Sequence, residues 1–206
     1  MEILVTLGAL LAAISIAPYI KGVLKGVVKP KIASWLVWCV LSVLLTGAAI
    51  ASGQFMSAIM SGVTVVATAM VLVLGLKKGS GGFDKLDIIC LIGAAAGIAI
   101  WLILDNPTLA IFVAVAVDII AFIPTLVHGW VSPAEESLAS YGLASLGASM
   151  GLMAAVLAGA SAAGLAYPVY STTFNGLMVV LLTRDIWWPY LAMFVPGVQR
   201  ERVLTD

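Results

Sequence analysis

Apolar residues gather in seven runs separated by short polar breaks: Ile3–Ile20, Ile32–Ala51, Phe55–Leu76, Leu86–Leu104, Pro107–Val127, Ser137–Gly159 and Ala166–Thr183. A membrane span needs about 20 largely apolar residues, because about 30 Å of hydrocarbon is crossed at about 1.5 Å per residue. All seven runs meet that length. The breaks carry helix-stopping punctuation: Lys-Pro-Lys, Ser-Gly-Gln, Lys-Lys-Gly-Ser-Gly-Gly, Asp-Asn-Pro and Ser-Pro. An eighth apolar stretch, Ile186–Val198, is too short to cross and holds Pro189 and Pro196. Its Trp187 and Trp188 suit a segment lying at the membrane surface.

Two polar stripes interrupt the apolar pattern. In the third run Ser57, Ser61, Thr64 and Thr68 are spaced by four, three and four, which puts them on one helical face. The seventh run carries Ser171, Thr172, Thr173 and Asn175. Lipid would leave such groups unpaired, so both stripes are expected to look inward. A hydroxyl can also bond back to its own helix, or serve as a small packing residue. An asparagine amide is harder to satisfy that way, which makes Asn175 the foremost candidate for a solute contact.

Composition agrees with the pattern. Of 206 residues, 63% are hydrophobic and 10% charged, with net charge zero; a soluble domain of this size carries roughly a quarter charged residues. Nothing in the balance suggests nucleic acid. Cys39 and Cys90 lie inside apolar runs without a CxxC spacing and read as small buried hydrophobes. The first run lacks the basic start and small-residue site of a signal peptide, and reads as structure.

The basic residues then fix a direction. Lys21, Lys25, Lys29 and Lys31 follow the first run, Lys77, Lys78 and Lys85 the third, and Arg184, Arg200 and Arg202 the seventh. These ten are all the Lys and Arg of the chain, and a seven-span model puts every one on the same side. The positive-inside rule makes that side cytoplasmic, with the N-terminus outside and the C-terminus inside a plasma (inner) membrane. The lysines of the first loop are expected to form a solvated cluster that acts as this retention signal.

The chain also repeats itself. Pro18 aligns with Pro124 and Pro30 with Pro133; a serine follows the second proline after four residues (Ser34, Ser137) and an aromatic after eight (Trp38, Tyr141). Thr64, Thr68 and Lys77-Lys78 likewise correspond to Ser171, Asn175 and Arg184-Asp185. The expected fold is therefore all-α and integral to the membrane, with seven transmembrane helices arranged 3+1+3. Residues 1–78 form one three-helix repeat, 79–105 a linker helix, 106–185 the second repeat, and 186–206 an interfacial segment and cytoplasmic tail. Three spans would invert the second unit; the linker restores its direction, giving parallel repeats.

Pro30, Lys31, Ser34, Trp35 and Trp38 in the first unit, with Asp118, Pro124, Thr125, Pro133, Glu135 or Glu136, and Tyr141 in the second, resemble the SWEET and PQ-loop transporter superfamily, most closely a bacterial membrane branch of it. The likeness spans about residues 1–185. The Pro-Gln pair that names PQ-loop proteins reads here Pro18-Tyr19 and Pro124-Thr125. Where sugar-carrying members place asparagines on both third helices, this chain has Asn175 and Thr68, and its sixth span has no tryptophan. The resemblance implies transport of a small solute by rocking of the two units.

The candidate solute contacts are Asn175, Thr68, Thr64, Ser171 and Trp38, with Trp35 sharing the helix face of Trp38. Asp118 is the sole acid well inside a span. At that depth a carboxylate costs about 2.5–3.5 kcal/mol on insertion scales, so it should face the bundle and be paired, hydrated or protonated. It is the proton-coupling candidate, with a structural carboxyl as the alternative. Pro18 and Pro124 each remove a helical hydrogen bond near the inner ends of the first helices and are candidate hinges. Gly93 and Gly97, and Gly147 and Gly151, permit close helix approach within the chain or in a homo-oligomer. Tyr19, Trp35, Trp38, Trp130 and Tyr141 at one boundary, and Trp101, Tyr167 and Tyr170 at the other, read mainly as aromatic belts.

The function these features favour is transport of a small polar solute, with no enzyme activity, no cofactor and no metal. The expected partners are that solute and the lipid bilayer. A membrane sensor or assembly partner without transport is the alternative, and an integral membrane enzyme a lesser one. His128 is the sole histidine, so a His-rich metal site is excluded. Glu135 and Glu136 read as a solvated helix start after Pro133. No span carries a lysine for a retinal Schiff base.

Overall fold

The computed structural model describes the backbone of residues 2–51, 53, 55–80, 83–104 and 106–194, and the side chains of these except 51, 55–60, 107 and 190–194. The apolar runs become the helices α1 (Glu2–Leu24), α2 (Ile32–Ala51), α3 (Phe55–Lys78), α4 (Lys85–Ile103), α5 (Pro107–Val131), α6 (Leu138–Leu157) and α7 (Ala162–Leu182). The short apolar stretch becomes α8 (Arg184–Phe194). Among the described residues there is no strand, and seven helices are long and apolar enough to cross a membrane. This is the helical content of a multi-pass membrane protein. The surface agrees: Ile3, Leu10, Val66, Ile92 and Ile103 are more than half exposed, as lipid-facing side chains are.

Helix starts follow capping chemistry. Asp84 and Asp87 bond reciprocally as a capping box before α4. Asn106 caps α5 ahead of Pro107, and Ser137 and Ser161 cap α6 and α7. The α1–α2 connection turns at Gly26, whose φ of 73° suits glycine. α1 and α5 both run on past their interior prolines, further than the apolar runs suggested. A helix survives one missing bond when its neighbours continue to pair, and Lys21 complements the carbonyl end of α1. A third interior proline, Pro168, lies in α7.

The third helix of each sequence triplet lies beside the other two: α3 packs on α1 and α2, and α7 on α5 and α6. Between the triplets, α1 packs along α6 and α2 on α5, while α4 rests on α5 and α2. Small residues permit the tightest crossings. A Cβ on Gly147 would stand 2.7 Å from the Gly8 carbonyl oxygen, and one on Gly97 would strike Val117. Gly93 faces Ile120. Gly93, Gly97 and Gly147 thus serve packing within the chain.

One end of the bundle gathers the basic residues; Lys21 and Lys25 are exposed there as expected, whereas Lys29 and Lys31 of the same cluster form ties. The Lys29 backbone N–H donates to the Glu135 carbonyl (2.9 Å), and the two side chains form an ion pair. Lys31 is buried to 11% side-chain exposure and pairs with Asp87 at 2.9 Å and Asp84 at 3.2 Å. Burial alone would lower the Lys31 pKa, but the bonds to Asp87 and Asp84 outweigh it and hold the ammonium above its ordinary value. Asp84 is held below the usual carboxylate range, first by the Asp87 backbone N–H. Lys78 donates to the Leu24 carbonyl at 2.6 Å, and Arg184 donates to that of Trp130 while covering its ring at 4.8 Å. Sequence spacing could not show these pairings, because each joins loops far apart in the chain. Arg200 and Arg202 lie outside the described residues.

Candidate functional site

Polar groups inside an apolar bundle must converge on protein or water, and here they converge on one cavity of about 910 Å³ between the two triplets. Thr64 and Thr68 reach it from α3, Ser171 and Asn175 from α7, Trp38 from α2 and Asp118 from α5. All six residues singled out in the sequence for solute or proton therefore share one wall system. Ser57 lies outside the described side chains, and Thr172 and Thr173 are not part of the wall. Pro18 and Pro124 do not line the cavity; Pro124 is fully buried.

Three of the lining hydroxyls donate to their own helices. Thr68 donates to the Thr64 carbonyl at 2.8 Å, Ser42 to that of Trp38 at 2.7 Å and Ser15 to that of Ala12 at 2.7 Å. Asn175, expected to be hard to satisfy, bonds backward as well: its Nδ2 donates to the Ser171 carbonyl at 2.8 Å and lies 3.3 Å from the Ser171 hydroxyl. The amide is neutral and long enough to reach one turn back, which the sequence argument underrated. What these residues leave toward the cavity is acceptor capacity.

Asp118 sits midway along α5. Tyr170 donates from its hydroxyl to the Asp118 backbone carbonyl at 3.3 Å, and Trp38 lines the same cavity. No Lys, Arg or His stands among the described residues lining the cavity.

Toward the basic end the cavity is floored by aromatic rings, of which Tyr19, Trp35 and Tyr141 had read as a belt. Tyr19, Trp35, Tyr141 and Phe122 are buried to 7% exposure or less, packed inside the protein rather than displayed on its surface. Their rings touch in series: Tyr19 to Trp35 at 4.9 Å, Trp35 to Trp38 at 5.1 Å and Trp38 to Phe122 at 5.4 Å. Tyr19 and Phe122 each stand 6.2 Å from Tyr141. Edge-to-face and tilted pairs at these spacings are attractive. Trp130, 49% exposed near the end of α5, keeps the belt reading. The misassigned rings carried a usable signal, since Tyr19 directly follows Pro18 and Tyr141 occupies the repeat position of Trp38.

Below the floor lies Glu136, 7% exposed and not the solvated helix start expected. Its Oε2 accepts from the Tyr141 hydroxyl at 3.0 Å, while Oε1 is buried without a hydrogen-bond partner. Trp35 Nε1 donates to the Tyr19 hydroxyl at 3.3 Å, and Tyr19 stands against Tyr141 above Glu136. Burial pushes the Glu136 pKa up to about 8, with the Tyr141 bond opposing it. On the other side of the joint, Thr125 donates to the Ser34 hydroxyl at 2.8 Å in full burial. Residues 19 and 125, each following an interior proline, thus both contact the start of the opposite triplet's second helix.

No protein-family model, curated protein or solved structure matches the chain. The His, Cys, Asp and Glu side chains form no metal-holding group among the described residues.

Proposed function

We propose that the chain is a SWEET-like transporter that carries a small polar solute by alternating access between two parallel three-helix repeats, with α4 as their linker. The observation that carries this reading is the cavity: both triplets wall it, it holds polar groups at membrane depth, and aromatic rings floor it at one end. The helix contacts support the repeats, since α3 and α7 hold equivalent places in their triplets and the α1–α6 contact has its counterpart in α5–α2. So do the paired contacts of Tyr19 and Thr125. In this reading the basic end faces the cytoplasm. The aromatic floor is then the inner closure, and Pro18 and Pro124 mark where the first helices bend when it opens. Asp118, in the wall, is the group a coupled proton or a solute would meet.

Uptake into liposomes holding the purified protein tests the proposal, with sugars, amino acids, nucleosides, vitamins and amines as solutes. At least one should accumulate, and Asp118→Asn and Asn175→Ala should each cut its initial rate by about ten-fold, an effect of about 1.4 kcal/mol. Flux that ignores both substitutions would remove the assigned site, and no flux of any solute would remove the transport reading.

A further inference from the structure

The cavity's own chemistry narrows what it can hold. Its lining brings a carboxyl group, Asp118, with no cationic side chain to match it among the described residues. The donors of Ser15, Ser42, Thr68 and Asn175 are spent on their own helices. From these residues, lone pairs and a carboxyl group greet a ligand rather than hydrogen-bond donors. A sugar offers donors and acceptors in equal measure and would leave its acceptors unmet. A zwitterionic amino acid would bring a carboxylate with no Lys or Arg to receive it. An ammonium group has three donors and no acceptor, and it supplies the countercharge that Asp118 lacks. Trp35, Trp38, Phe122, Tyr167 and Tyr170 line the same space, and aromatic rings favour both a cation and an apolar body.

We propose that the cavity between the two triplets binds a small organic amine in its cationic form, with the ammonium at Asp118 and its apolar portion among the neighbouring rings. The inference deepens the transport reading and rests on it for the role of the cavity, but its test does not require flux.

The test is isothermal titration of the purified full chain in detergent, with empty micelles subtracted. Three probes of one shape are used: 2-phenylethylammonium, the neutral 2-phenylethanol and the anionic 3-phenylpropanoate. The cation should bind about ten-fold or more tighter than the alcohol, and the anion weakest. In Asp118→Asn the preference of cation over alcohol should vanish, whereas Asp118→Glu should keep it. Equal affinity for cation and alcohol, binding of none of the three, or a preference that survives Asp118→Asn would overturn the proposal. If the asparagine variant does not fold, the wild-type ranking of the three probes decides alone. Tight amine binding without trans-bilayer flux would remove the transport reading and leave this inference standing; sugar flux without amine preference would do the reverse.

Discussion

Glu136 holds one carboxyl oxygen against the Tyr141 hydroxyl and the other buried without a hydrogen-bond partner. A buried acid in this position keeps its proton more easily than water would allow, hence its shift from 4.5 to about 8. An unfolded chain returns it to the ordinary value. Between these two values the folded state holds a proton that the unfolded state has released. Stability is therefore fully present below about pH 4.5 and declines as pH rises to about 8, beyond which the loss is complete. The melting temperature in detergent should fall across that window in the wild type. Glu136→Gln, which keeps the shape without the charge, should flatten the slope and melt higher at the alkaline end. A variant that tracks the wild type at every pH would contradict this account of Glu136. The sequence showed an acid two residues before a helix, where most such residues are solvated. That Tyr19 and Tyr141 would cover it depended on α1 lying along α6, which local spacing does not contain.

At the scale of helices, the contact between α1 and α6 depends on backbone approaching backbone. A Cβ on Gly147 would stand 2.7 Å from the Gly8 carbonyl oxygen and 3.0 Å from the Ala12 nitrogen, neither of which can swing aside as a side chain can. Gly147→Ala should therefore cost about 1–3 kcal/mol and lower the melting temperature. Gly151→Ala meets nothing within 4 Å and should be nearly silent. Equal behaviour of the two variants would contradict the crossing. The helices themselves were largely legible: the run Ile32–Ala51 coincides with α2, and the others differ by a few residues at their ends. Those differences have local causes, such as the continuation of α1 and α5 beyond their prolines. The stripes on α3 and α7 were legible too, because polar groups in lipid have only one direction to face. Illegible were the ties of Lys29, Lys31 and Arg184, which join segments more than fifty residues apart.

For the whole molecule, the two sequence joints meet each other at the basic end, under the cavity floor. Lys29 and Glu135 are bonded there through both backbone and side chains, and under the proposed function this bond holds the inner end closed. In the proposed transport cycle, rocking of one triplet against the other would part them on every turn. The direct measurement is flux through a locked joint. Lys29→Cys and Glu135→Cys, introduced after Cys39 and Cys90 are replaced by alanine, would sit close enough for a disulfide, given the 2.9 Å bond between their backbones. In liposomes, oxidation of this pair should abolish uptake, reduction should restore it, and either cysteine alone should have no effect. Uptake that continues unchanged with the pair fully cross-linked would contradict alternating access between the two halves.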